Sequence, residues 1–118
     1  MEDNTLNSGV CIQILSRPDA GGHFMINVNQ EITRVPSGHL CLPFPDDLSA
    51  LIEMYGEVGG NILYELREVT GIATISLSRY QMRVGIGSLF RWSTIEPTVL
   101  EALKKILNAP SAKTTREV

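Results

Sequence analysis

Apolar and polar residues alternate along two early stretches of the chain. Val10, Ile12 and Ile14 fall on one side of an extended backbone, with Cys11, Gln13 and Leu15 on the other. Phe24, Ile26 and Val28 alternate in the same way with Met25, Asn27 and Asn29. Successive side chains of a strand point to opposite faces, so both runs predict strands. Between them Arg17-Pro18-Asp19-Ala20-Gly21-Gly22 is rich in turn formers, and the two strands are expected to pair antiparallel. A third, short strand is expected over His39 to Leu42, bracketed by Pro36-Ser37-Gly38 and Pro43.

The period then changes. Leu48, Leu51, Ile52 and Tyr55 recur at helical spacing, behind Asp46 or Asp47 as N-cap and ahead of Gly56 as a stop. Val58, Ile62, Leu66 and Val69, widened by Leu63, predict a second helix over about 59–68. Gly59-Gly60 is a poor start for it, and Thr70-Gly71 ends it. Ile72 to Leu77 and Tyr80 to Ile86 form the strongest hairpin signal, with Tyr80, Met82, Val84 and Ile86 on the apolar side and Ser78-Arg79 as the turn. A last helix is expected over about 94–107, its stripe made of Ile95, Val99, Leu103 and Ile106. Ser93 and Glu96 are spaced as a capping box, Pro97 is expected in the first turn, and Asn108 with Pro110 supplies the stop. This order predicts an α+β fold: a mainly antiparallel sheet of four or five strands with two or three helices on one face. The domain is expected over 10–108, between loose tails at 1–9 and 109–118.

Composition narrows the function classes. A chain of 118 residues fits one domain with a real core. Its formal net charge of −3 argues against a general nucleic-acid binder, which would be basic. No apolar run approaches the roughly 18 residues that span a bilayer. The N-terminal Met-Glu-Asp-Asn-Thr does not resemble a secretory signal, so a cytoplasmic address is expected. Cys11 and Cys41, in strand-like apolar stretches, are expected as buried thiols rather than as a disulfide.

Candidate chemistry is sparse. The metal-ligating side chains Cys11, Cys41, His23 and His39 lack the paired short spacings of a structural zinc site. Neither cysteine has a cationic neighbourhood that would lower its pKa. Gly85-Ile86-Gly87 lacks the third glycine of a dinucleotide fingerprint. No catalytic, metal or cofactor residue is therefore assigned. The sheet face turned away from the helices is expected to show Gln13, Asn27, Asn29, Thr74, Ser76, Gln81 and Arg83. Without aromatic side chains it is not equipped to stack RNA bases. Trp92, beside the last helix, is expected to pack against the helix start, as tryptophans are mostly buried; where exposed, it makes with Arg91 a residue pair favoured at interfaces, and with Arg83 these form the candidate interaction surface.

The stretch from Ile62 to Ile106 resembles the N-terminal domain of NifU-like iron–sulfur scaffold proteins. The resemblance is carried by Leu66-Arg67-Glu68-Val69-Thr70-Gly71-Ile72-Ala73-Thr74-Ile75, by Met82-Arg83-Val84, and by Trp92-Ser93-Thr94-Ile95-Glu96-Pro97-Thr98-Val99. At the front only Pro18 remains of that family's Pro-Asn-Pro-Asn segment, and its cluster-binding Cys-x-x-Cys, which belongs to a separate domain, has no counterpart here. What the resemblance implies is a non-enzymatic binding or accessory module, tied to iron–sulfur cluster assembly through protein contacts. The alternative is a small-ligand or metal-responsive regulatory domain of ferredoxin-like type that self-associates. Either way the expected partner is a protein or a second copy, and neither a membrane nor nucleic acid.

Overall fold

A computed structural model describes residues 9–15, 17–19, 22–34, 38–41 and 46–117. The elements are β1 (Cys11–Leu15), β2 (His23–Val28), β3 (Gly38–Cys41), α1 (Leu48–Leu66), β4 (Ile72–Ser78), β5 (Gln81–Ile86), α2 (Trp92–Ile106) and β6 (Lys113–Glu117). They build one six-stranded sheet in the order β3-β4-β5-β2-β1-β6. Every pairing is antiparallel except that of β6 with β1. The fold is α+β, as the pattern predicts.

Register explains which face is buried. One cross-strand row runs Ile14, Ile26, Met82, Leu77, and all of these side chains are buried. The next row, one residue along each strand, runs Gln13, Asn27, Gln81, Ser78 on the opposite face. The first row joins Ile62, Leu66, Val99 and Leu103 of the helices in a single apolar core. Burying each such side chain contributes about 1.5–3 kcal/mol, which is why the apolar rows decide which side the helices cover.

Gly56 breaks α1: its φ of 89° and ψ of 170° divide the element into halves at 48–55 and 57–66. The two helices expected from the sequence are these halves. Asp47 caps the first, accepting from the Ala50 N–H. Buried Thr33 donates its hydroxyl to the Tyr55 carbonyl at 2.7 Å, where the break frees that oxygen. Asn108 (φ 53°) closes α2 in the left-handed region, and the Ala109 N–H reaches back to the Lys104 carbonyl.

Several expectations need correction. The β4–β5 turn is Arg79-Tyr80, since Ser78 pairs with Gln81, so Tyr80 leaves the apolar row and is 54% exposed. Its unfavoured residues are tolerated because the Arg79 and Tyr80 carbonyls accept from Ile32 and Val28 N–H. Cys11 is exposed, because it shares the open side of β1 with Gln13 while Ile12 and Ile14 take the core. Helix α2 starts at Trp92 with Arg91 at the N-cap and no side-chain cap, so Ser93 and Glu96 form no capping box. Pro97 lies beyond the first turn, and the carbonyl it leaves without an N–H partner belongs to exposed Ser93. The loose tail expected at 109–118 contains β6, whose residues Lys-Thr-Thr-Arg-Glu give no apolar signal and are held by backbone pairing. Residues 1–8 of the tail expected at 1–9, the side chains of His39 and Cys41, and Pro36, Ser37 and Pro43 lie outside the described residues.

Candidate protein-contact surface

The link from β5 to α2 projects apolar side chains outward. Leu89 is 93% exposed and Phe90 is 42% exposed, and both sit directly before exposed Arg91. The backbone beneath them is fixed. Gly87 N–H donates to the Gly71 carbonyl at 2.8 Å, Phe90 N–H to the Gly87 carbonyl at 3.0 Å, and Thr94 N–H to the Arg91 carbonyl at 3.0 Å. Gly71 has φ 103°, and a Cβ there would stand 2.9 Å from the Phe90 ring. Only glycine allows both that backbone and the ring seated on it.

Trp92 turns inward. It is 7% exposed and stacks on Phe24 with ring centroids 4.8 Å apart and planes 7° from parallel. Offset stacking of this kind adds about 0.5–1.5 kcal/mol beyond area burial. The indole N–H has no hydrogen-bond partner among the described residues. Trp92 is thus the brace under the tip and not part of its surface.

Arg83 lies elsewhere. It projects from β5 on the open side of the sheet, between buried Met82 and Val84, and its Nε is 3.8 Å from Asp19 Oδ2. Asp19 also accepts the His23 backbone N–H at 2.9 Å and sits 3.6 Å from His23 Nδ1. The arginine helps pin the β1–β2 connection to the sheet. Of the three residues expected to share a surface, only Arg91 stands at the tip. Leu89 and Phe90 were missed because they fall off the strand and helix periods. The signal for them is two apolar residues placed between a Gly-Ser turn and a helix start.

Beside this group the open face carries a row of uncharged amides. Asn27 Nδ2 donates to Gln13 Oε1 and Gln81 Nε2 donates to Asn27 Oδ1, each at 2.8 Å. This amide ladder satisfies itself and presents little that would grip a charged ligand. At the α1 break a groove of about 350 Å³ is lined by Ile32, Thr33, Arg34, Tyr55, Gly56 and Val58. Among the described residues no group of three or more His, Cys, Asp and Glu is gathered as metal ligands. No described helix is long and apolar enough to cross a membrane.

At the far edge of the sheet the α2 residue Glu96 is buried and grips Arg116 of β6 with both oxygens. Nε lies 3.0 Å from Oε1 and Nη2 lies 2.8 Å from Oε2. The hydrogen bonds to Glu96, and then its charge, raise the affinity of the guanidinium for its proton above the ordinary arginine value. Comparison of the chain with protein-family models, with curated proteins and with solved structures finds no match.

Proposed function

We propose that this chain is a non-enzymatic binding module that docks a partner protein on the Leu89-Phe90-Arg91 tip. The observation that carries the reading is the apolar pair held out to solvent on a braced backbone. Keeping a leucine fully exposed forgoes about 1.5–3 kcal/mol of burial, which a partner surface would recover. Aromatic and arginine side chains around such an anchor are the composition of interface centres. The rigid seat on Gly71 and Trp92 lowers the ordering cost of docking.

The resemblance to the N-terminal domain of NifU-like scaffold proteins supplies the partner class. It covers 62–106, which includes the tip, and it supports an accessory role in iron–sulfur cluster assembly. Purified cluster-assembly scaffold is the first partner to titrate, by calorimetry. The wild-type chain is expected to bind, and Leu89→Asp to weaken binding by about tenfold or more, the effect of losing one interface anchor. Because Leu89 is almost wholly exposed, the thermal midpoint should not move. A wild-type chain that ignores the scaffold removes the link to cluster assembly. A Leu89→Asp chain that binds as well as wild type removes the tip.

A further inference from the structure

Edge strands are normally held by side chains they contribute to the core, and β6 contributes none. All its residues are exposed or half-buried. What holds it is a parallel backbone ladder along Cys11 to Leu15, the Lys113 N–H bond to the Val10 carbonyl at 3.0 Å, and the grip of Glu96 on Arg116. The register sets Arg116 opposite Ile14 and Thr114 opposite Ile12, on the side of the sheet that faces α2. Lys113, Thr115 and Glu117 take the other side, where their side chains make no hydrogen bond or ion pair among the described residues. A backbone ladder plus one charge-specific contact is how a sheet edge recognises an added peptide strand.

Glu96 makes the requirement sharp. A buried carboxylate is costly without a cation, and its two oxygens are both engaged in the fork geometry that arginine supplies and lysine does not. We propose that the outer edge of β1 together with Glu96 is an acceptor site for an extended, arginine-bearing segment of a partner protein, and that β6 occupies this site in cis. The partner segment carries its arginine at the place Arg116 holds and polar residues around it. The net charge of −3 on the chain favours the approach of such a basic strand. This site is distinct from the Leu89 tip and does not depend on it.

The test uses the full chain and fluorescence anisotropy of a labelled peptide of residues 111–117. In the wild-type chain β6 competes from within, so binding is weak. Arg116→Ala loosens the occupant, and the peptide is expected to bind about tenfold tighter than to wild type, the effect of a lost charged hydrogen-bond pair. The same peptide with Arg116→Lys should bind Arg116→Ala chain about tenfold more weakly than the arginine form. Adding Glu96→Gln to Arg116→Ala should remove the preference for arginine. If Arg116→Ala does not fold, Arg116→Lys gives the same ordering with a smaller gain. Equal affinity of wild type and variant, or equal binding of the arginine and lysine peptides, overturns the proposal. So does a variant that dimerises by light scattering, through exchanged strands, and takes up no peptide.

Discussion

A methyl group on Gly60 would stand 2.6 Å from the Ile52 backbone nitrogen and 2.8 Å from the Leu51 carbonyl carbon. Those atoms belong to the first half of α1, so the break at Gly56 folds the halves against each other until their backbones meet. Helix propensity alone would favour alanine over glycine by about 1 kcal/mol. Backbone atoms cannot move aside as a side-chain tip can, and overpacking of a tight site costs about 1–3 kcal/mol. Gly60→Ala is therefore expected to destabilise the chain, seen as a lower urea midpoint. A higher midpoint would mean that the two halves are not in close contact. Thr33 acts at the same break from outside the helix. Thr33→Val keeps the shape and deletes the donor to the Tyr55 carbonyl, so a loss of about 1–2 kcal/mol is expected in the same titration. An unchanged midpoint would show that the carbonyl is satisfied without it.

Among elements, the difference between β5 and β6 is the instructive one. Strand β5 lies inside the sheet and buries Met82 and Val84 completely. Strand β6 lies at the edge, pairs with β1 alone and buries nothing. Local opening free energies fall where few apolar contacts are lost. In hydrogen exchange followed by mass spectrometry, amides of 113–117 are expected to exchange well before those of 82–86. Equal protection of the two strands would show that β6 opens only with the whole fold. Helix α2 connects these behaviours: its inner stripe of Ile95, Val99 and Leu103 belongs to the core, while Glu96 reaches the edge strand.

At the scale of the whole molecule the sheet has two unlike faces. One is sealed by α1 and α2; the other carries the amide ladder of Gln13, Asn27 and Gln81 and the Asp19, His23, Arg83 group. The two proposed contact regions lie off both faces. The Leu89 tip stands where the sheet passes into α2, and the β1 edge lies beneath β6, the outermost strand at one end of the sheet. Contacts at the proposed tip and edge would leave the core untouched. Surface substitutions at Leu89 and at Arg116, which have no side-chain partner in common, are therefore expected to act independently in a double-mutant comparison.

Much of the fold was legible along the chain. The alternation of Ile12 and Ile14, of Ile26 and Val28, and of Met82 and Val84 determined the buried side of the sheet, because a strand's side-chain period is two and one face is dry. The helical stripes, the stop at Gly56 and the close at Asn108 were legible for the same local reason: each depends on a few neighbouring residues. Tertiary structure decided what depends on residues far apart in sequence. It brought Thr114 and Arg116 against β1, about a hundred positions earlier, through backbone bonds that leave no hydrophobic signal. It set Glu96 to grip Arg116 instead of capping its own helix, and it chose Phe24 as the ring that the expected inward Trp92 stacks on and left Leu89 outside. A residue's spacing tells which way it faces along its own element; only the assembled layers tell what it faces.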